Sequence, residues 1–194
     1  ADLTAAKTVT VADGKDVTIT EAGVYVLKGE ADNATVIVEA GGDDKVQLVL
    51  DGVKITNEDF PCIYVKNADK VFVTVSADSE LSVAGAFRAD GDTNTDGVIF
   101  SRSDLVMNGE AALTITSTDN GVVCKDDLKL TGGTYTVTAA SKAFEANDSI
   151  RVAGGTYVIS AGTDGLHAEN SDDDTLGYIY IVGGDITVKA GDDA

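Results

Sequence analysis

The sequence carries one compact acidic motif in which oxygen-bearing side chains stand at every second position. Asp92, Asn94 and Asp96 follow this spacing, and a glycine comes directly after them. Calcium takes carboxylate and carbonyl oxygens as ligands, and the glycine allows the sharp turn that a calcium loop needs. The backbone carbonyl of Val98 would be a further ligand. We therefore predict a first calcium site from these residues: Asp92, Asn94, Asp96, Val98 and Asp104.

This loop does not match an EF-hand. An EF-hand has a bidentate glutamate at loop position 12, but Ser103 stands at that position here, with Asp104 one residue later. No helical pattern flanks the loop. Because Asp, Asn and Gly also favour ordinary turns, a metal-free turn is the alternative interpretation.

Other polar side chains recur at equivalent places in a sequence repeat that is described below. One set precedes a short apolar run and the other follows it: Asp96, Asn120, Lys142, Asp164 and Asp193 before the run, and Asp126, Asp148 and Asn170 after it. Stacked repeats would place equivalent residues ~4.8 Å apart, near enough for two levels to share one cation. Carboxylates at that distance repel each other, and a cation would relieve the repulsion. We predict a second calcium site centred on Asp148, Asn170 and Asp172, and a solvated acidic edge is the alternative.

A third candidate site consists of long polar and aromatic side chains on the outward face of a predicted strand. Lys129, Arg151 and Tyr180 occupy equivalent positions in successive repeats, and Tyr178 is close by. A tyrosine can stack on a sugar ring, and arginine or lysine can bind a sugar carboxylate. We predict that these residues contact a linear polysaccharide, and ordinary protein surface is the alternative.

The elements that must position these residues come from a repeat. One segment of about a dozen residues occurs three times with small changes, beginning at Leu128, Ile150 and Ile179. Each copy contains a Gly-Gly pair, and the pairs are 22 and 29 residues apart, the longer spacing reflecting a polar insertion at 171–177. A repeat of this length built from short runs is typical of a solenoid, in which each unit buries its apolar side against its neighbours.

Three short runs make up each repeat, and apolar residues alternate with polar ones in each run. Leu166, Ile150 and Tyr157 exemplify the inward positions of the three runs. Helical spacing is nowhere sustained. We predict an all-β fold, a parallel β-helix of three sheets with turns of about 22 residues.

The whole chain, 1–194, is predicted to be a single β-helix domain. Residues 1–44 are its least regular part and are interpreted as an N-terminal cap with the first turn, followed by regular turns over 45–194. The sequence stops in the middle of a turn. We expect either a fragment of a longer solenoid, which we favour, or end-to-end self-association in which another chain covers that end.

Composition excludes several classes of function. The formal net charge is −19 with only 14 Lys and Arg residues, so binding of nucleic acid through its phosphates is not expected. No apolar run approaches the ~18 residues that membrane insertion requires.

Cys62 and Cys124 are predicted to lie two turns apart, roughly 9.6 Å, which exceeds the ~7 Å limit for a disulfide. The acidity and the scarcity of cysteine favour a secreted bacterial protein.

The stretch Gly154–Ala168, read as Gly-Gly-Thr-Tyr-Val-Ile-Ser-Ala-Gly-Thr-Asp-Gly-Leu-His-Ala, resembles the repeats of bacterial surface proteins described as carbohydrate-binding domain-containing. The resemblance implies a right-handed parallel β-helix with the shape of a pectate lyase. It also implies binding of calcium and of plant polysaccharides such as cellulose or polygalacturonate, without known catalysis. The Asp-Gly corners of the family pattern correspond here to Asp96 and Asp164, whereas Lys142 departs from it.

The leading hypothesis is a secreted or cell-surface polysaccharide-binding module in which calcium stiffens the turns and bridges to carboxylated sugars. Such a bridge would offset the repulsion between an acidic protein and a pectic glycan. Two alternatives stay open: a calcium-dependent polysaccharide lyase, and a structural stalk or adhesin with a protein partner. A lyase needs a positioned base beside calcium, and Arg102 alone among the arginines lies near the predicted loop.

Overall fold

The structure, a computed structural model, describes residues 3–193, which form β-strands joined by turns, without a helix in that range. The strands are β1 (Lys7–Thr10), β2 (Val17–Ile19), β3 (Gly23–Asp32), β4 (Val36–Glu39), β5 (Lys45–Asn57), β6 (Ile63–Asn67), β7 (Lys70–Ala77), β8 (Ser79–Val83), β9 (Gly97–Ser101), β10 (Asp104–Gly109), β11 (Ala112–Ser117), β12 (Asn120–Cys124), β13 (Asp127–Leu130), β14 (Thr134–Ala139), β15 (Phe144–Ala146), β16 (Ser149–Val152), β17 (Thr156–Ala161), β18 (Leu166–Ala168), β19 (Tyr178–Ile181) and β20 (Asp185–Lys189). No segment of the described range is a helix of the length and hydropathy that crossing a membrane requires.

Parallel pairing between equivalent strands organises the molecule. Strand β14 pairs with β17 so that Tyr135 lies opposite Tyr157, 22 residues later. Strand β17 then pairs with β20 across the longer spacing, with Tyr157 opposite Ile186. The insertion leaves this register intact, because it forms an excursion outside the strands. The predicted all-β fold with parallel sheets is confirmed, and the pairing is consistent with a parallel β-helix.

The strands join into two hydrogen-bonded sheets, where the sequence predicts three. The seven-stranded sheet contains the first strand of each repeat in the order β18-β15-β12-β9-β6-β4-β2. The thirteen-stranded sheet has two arms that meet at β5: a second-strand arm of β7, β10, β13, β16 and β19, and a third-strand arm of β8, β11, β14, β17 and β20. The difference arises because β5 runs unbroken through the corner at which later repeats have a Gly-Gly pair.

The interior is filled by the inward side chain of each alternating pair. The predicted inward residues Ile150, Tyr157 and Leu166 are all buried. Cys62 and Cys124 are buried free thiols, as the repeat predicts, and burial raises the pKa of each to about 12. Neither is therefore a ready nucleophile.

The Gly-Gly corner is closed by the tyrosine that follows it. The hydroxyl of Tyr157 donates a hydrogen bond to the carbonyl oxygen of Gly154 at 2.7 Å, and Tyr135 repeats the contact one turn earlier. The second glycine, Gly155, has φ +108°, and a Cβ there would lie 2.8 Å from the tyrosine hydroxyl. Tyr135 and Tyr157 also stack, with ring centroids 5.3 Å apart. The Gly-Gly-Thr-Tyr motif thus encodes both the turn and its hydrogen bond.

This corner leads to a prediction about stability. Tyr157→Phe should lower the free energy of unfolding by about 1 kcal/mol, because a carbonyl oxygen loses its donor. Gly155→Ala should cost more, since a side chain is disfavoured at this positive φ and would meet the ring. Urea denaturation measures both changes. Tyr180→Phe is the control, because that side chain is 59% exposed; a Tyr157→Phe protein as stable as this control would contradict the prediction.

Candidate functional site

The polar excursion that contains the first predicted calcium loop covers an aromatic cluster on the outside of the seven-stranded sheet. The members of this cluster are Phe60, Tyr64, Phe100 and Val123. The Tyr64 hydroxyl donates a hydrogen bond to the Asp90 carboxylate at 3.1 Å, and the Arg88 guanidinium lies 4.0 Å from the centroid of Phe60. The excursion therefore has a packing role beside any role in binding metal.

Within the first predicted calcium loop, the structure brings Asn94 and Asp96 together. The Asn94 amide donates a hydrogen bond to Oδ2 of Asp96 at 2.7 Å. The other carboxylate oxygen, Oδ1, is buried and makes no hydrogen bond with any described residue. Burial raises the pKa of Asp96. Asp92 is exposed at the tip of the loop.

The two remaining residues of that predicted site are engaged elsewhere. The carbonyl oxygen of Val98 accepts a hydrogen bond from the Cys62 backbone N–H at 2.8 Å, as part of the parallel pairing. The Asp104 carboxylate lies 2.9 Å from the ammonium group of Lys70 on the neighbouring strand. Asp104 thus belongs to the second-strand arm and not to the loop.

The first acidic column has the predicted stacking. The backbone N–H of Asn120 donates to the carbonyl oxygen of Asp96 at 3.0 Å, and the Asn120 side chain in turn accepts the N–H of Lys142. Further along, Asp164 is buried, and its carboxylate lies 3.3 Å from Nδ1 of His167. Lys142 interrupts the acidic run, and its ammonium group pairs with Glu145 at 3.1 Å.

The second column is also formed, but the Asn170 amide is already used. Its Nδ2 donates to Oδ1 of Asp148 at 2.8 Å. Its carbonyl oxygen accepts the backbone N–H groups of Asp172 and Asp173 at 3.0 and 2.9 Å. Asn170 therefore ties the polar insertion to Asp148, while the Asp172 side chain stays exposed.

The electrostatic centre of this column is Asp126. Burial and, after it, the negative charges of Asp104, Asp148 and Asp127 together raise its pKa to about 6. In sequence terms it is the first of two consecutive acids placed one repeat before Asp148. The sequence places Asp126 in the column. Its raised pKa depends on burial and on the charge of Asp104, and neither can be predicted from the repeat pattern.

No group of three or more His, Cys, Asp or Glu side chains within residues 3–193 is arranged as a formed metal site. Near Asp126, however, the donors are carboxylate oxygens, which calcium selects, and two of the neighbouring carboxylates, Asp104 and Asp127, also pair with Lys70 and Lys129. The residues present thus fit a hard cation chemically.

All four predicted polysaccharide-binding residues lie together on the outside of the second-strand arm and are named the outer ridge: Lys129, Arg151, Tyr178 and Tyr180. Lys129, Arg151 and Tyr180 are direct neighbours across three paired strands. Arg151 donates a hydrogen bond to the Tyr178 hydroxyl, and its guanidinium lies 5.5 Å from the centroid of that ring. The Tyr180 side chain is 59% exposed.

A shallow groove of about 300 Å³, named the Tyr180 groove, runs beside the outer ridge. Its floor is apolar, and it adds residues that sequence reasoning missed: Thr131, Val152, Ala153 and Val182. Val182 is 62% exposed. A hydrophobic floor bordered by Tyr180 and two cationic side chains combines a surface for sugar rings with partners for hydroxyl or carboxylate groups.

Comparison with known proteins places this geometry in context. A family model described as carbohydrate-binding domain-containing protein matches residues 13–194. A carbohydrate-binding domain-containing protein of Acetivibrio thermocellus is 42% identical over 185 residues, or 93% of this chain. The chain spans 65% of the length of that relative.

A solved structure is similar across almost the whole fold. It is described as the polysaccharide lyase-like protein from C. thermocellum, in a gadolinium derivative. The TM-score is 0.87 at 28% sequence identity, with 96% of this chain and 92% of the other covered. Together with the family match over residues 13–194, this shows that the chain belongs to the family of carbohydrate-binding domain-containing proteins.

Proposed function

We propose that this chain is a right-handed parallel β-helix that serves as a non-catalytic polysaccharide-binding module of a secreted or cell-surface protein. The observation that carries the proposal is the alignment of Lys129, Arg151 and Tyr180 along the Tyr180 groove in a member of a carbohydrate-binding family. The right hand follows from the general behaviour of crossovers between parallel strands, which are right-handed in about 98% of cases.

The outer ridge would bind a sugar chain through three complementary contacts. The exposed face of Tyr180 would stack on a pyranose ring, while the apolar floor covers the faces of neighbouring rings. Arg151 is held by Tyr178, so it loses little conformational freedom on binding. Its planar guanidinium suits a sugar carboxylate, and Lys129 would add a second positive charge. This chemistry fits cellulose through stacking and polygalacturonate through stacking and charge.

Net charge opposes the second of these ligands. A chain with a formal charge of −19 repels a polyuronate at long range. We propose that calcium offsets this repulsion at the column of Asp126 and Asp148, with Asp104 at its side. Burial and the neighbouring carboxylates raise the pKa of Asp126, and this supports the proposal, because a cation there would lower the cost of keeping these carboxylates ionised.

A second candidate function is polysaccharide lyase activity, which the description of the solved relative as polysaccharide lyase-like favours. Arg102 would be the base, since it is exposed directly after β9. Incubation with polygalacturonate and calcium decides between the two functions. Release of unsaturated, ultraviolet-absorbing product that disappears in Arg102→Ala would support the lyase.

The binding proposal predicts which side chains retain the protein on insoluble glycans. Tyr180→Ala should reduce retention on cellulose and on pectate gel by about tenfold, because the stacking surface is lost. Arg151→Ala should affect pectate more than cellulose, since only pectate has carboxylates. Depletion assays measure both, and Val158→Ala, a 50% exposed residue on the third-strand arm, is the control. Wild-type protein that is retained on neither glycan would overturn the proposal.

The calcium proposal predicts a metal-dependent melting temperature. Calcium should raise the melting temperature by several degrees, because a ligand that binds only the folded state stabilises it by mass action. Asp126→Asn should reduce this increase, whereas Asp43→Asn, at an exposed position before β5 and three strands from β13, should not. Scanning calorimetry and a calorimetric titration measure the effect. A titration without binding heat and without a melting shift would rule calcium out.

The raised pKa of Asp126 also predicts how stability depends on pH in the presence of a chelator. The folded-state pKa is about 6 and the unfolded value is about 3.9, so protonation favours the folded state. This contribution is complete below pH ~4 and is lost as the pH rises through ~6. Asp126→Asn should therefore be more stable than wild type at pH 7, and the difference should shrink towards pH 4. A difference that does not change with pH, or one that Asp43→Asn reproduces, would contradict this prediction.

A further inference from the structure

A second groove continues the Tyr180 groove along the same face of the molecule. We infer that it provides further sugar subsites centred on Asn108, which accept neutral units of a linear chain whose other end lies on Tyr180 and Arg151. This inference rests on the proposed function and extends it. It concerns residues that lie outside the outer ridge.

The two grooves form one straight path. The second groove, named the Asn108 groove, has a volume of about 470 Å³ and shares Thr131 with the Tyr180 groove. Its floor follows paired residues across three strands, with Val49 opposite Thr74 and Thr74 opposite Asn108. Leu130 lies opposite Met107. The residues that follow them, Thr131 and Asn108, are therefore also neighbours, and the floor continues from one groove into the other.

The combined path crosses six strands in sequence: β5, β7, β10, β13, β16 and β19. At ~4.8 Å per strand, five steps span roughly 24 Å. The spacing of one strand is close to the length of one sugar unit in an extended chain. A path that is straight, shallow and several units long fits an extended linear polymer and not a compact or branched ligand.

Asn108 is a polar group in this path whose side chain has no hydrogen-bond partner among the described residues. It is half-buried, and its side-chain amide makes no hydrogen bond within residues 3–193. Among the neighbouring hydroxyls, that of Thr74 accepts a hydrogen bond from the Gln47 amide at 2.9 Å, and that of Ser76 donates one to the Leu50 carbonyl at 3.1 Å. An amide can donate and accept at once, which matches a sugar hydroxyl. A ligand would therefore satisfy donors and acceptors that the protein leaves open.

Charge determines which sugar fits where. No lysine or arginine lines the Asn108 groove, and Glu110 stands exposed at its rim without an ion-pair partner in the described part of the chain. Lys129 and Arg151 line only the Tyr180 groove. A uronate would be repelled by Glu110 and attracted by Arg151. The two ends of the path therefore favour different sugars: neutral units lie near Asn108, and carboxylates are accepted at the Tyr180 end.

Calorimetric titration with soluble oligosaccharides tests the inference. Wild-type affinity should rise from cellotriose to cellohexaose, because only the longer neutral chain reaches from Tyr180 to Asn108. Asn108→Ala should weaken cellohexaose binding by about tenfold and leave cellotriose binding unchanged. Asn108→Asp, of nearly the same shape, should weaken hexagalacturonate more than cellohexaose. Asn147→Ala is the matched control, because that amide is also half-buried and unpartnered within the described residues but lines a cavity beside His167.

The outcomes separate this inference from the function on which it rests. Wild-type affinity that does not increase beyond three units, or cellohexaose binding that Asn108→Ala leaves intact, would overturn the Asn108 subsites. The binding function itself would still stand if Tyr180→Ala lost retention on insoluble glycans. Wild-type protein that is retained on no glycan and binds no oligosaccharide would overturn both. Thermal melts of each variant show that the fold is intact.

Discussion

In-register parallel hydrogen bonding between equivalent residues is the constraint on which the rest of this structure depends. Each backbone level repeats the one before it, as with Tyr135 opposite Tyr157 and Lys129 opposite Arg151. Whatever side chain stands at one level therefore stands directly beside its counterpart at the next. Equivalent positions therefore form columns, both inside and outside the fold, and the residues in a column are alike wherever the sequence repeats. The chain uses those columns differently on its different faces.

Inside, stacking is favourable because the repeated residues are apolar. Tyrosine is accommodated there as well, since its hydroxyl donates to the glycine carbonyl at the corner. On the acidic edge the same stacking brings carboxylates together, and burial together with these neighbouring charges raises the pKa of Asp126. Where Asn120 or Asn170 replaces a carboxylate, its amide forms a hydrogen bond with a neighbouring level: Asn120 accepts one from Lys142 of the next level, and Asn170 donates one to Asp148 of the preceding level. The edge thus alternates between amide cross-links and crowded carboxylates. A cation would stabilise the folded state most beside the crowded carboxylates.

On the outer face, stacking makes a long surface from small units. A single strand contributes only one or two outward residues, yet six successive strands line a continuous path. The composition of the path changes along its length, from Asn108 and Glu110 at one part to Arg151 and Tyr180 at the other. A linear polymer is the ligand whose own repeat can follow such a path. The family to which the chain belongs is consistent with that geometry.

Much of this arrangement was readable from the repeat alone. Alternation and spacing are enough to predict parallel pairing, the inward position of Tyr157, the free thiols and the outer ridge. The alternation of side chains along a strand determines which face a residue occupies, and the repeat length determines which residues lie side by side on successive turns. Three further features needed the tertiary structure. Val98, Asn170 and Asp104 make contacts across strands or with an excursion that has no counterpart in other repeats. The unbroken course of β5 joins two predicted sheets, and the Asn108 groove arises only when six strands lie side by side.

The sequence by itself determined the columns: which residues share a level, and which point inward or outward. Only the tertiary structure decided how each column behaves, because burial, charge and free hydrogen-bonding capacity are sums over neighbours from several turns. Asp126 and Asn108 illustrate this difference, since the sequence gives Asp126 only its place in a column and does not single out Asn108. Asp126 is defined by its burial and by the carboxylates around it, and Asn108 by the absence of a protein partner for its amide within the described residues.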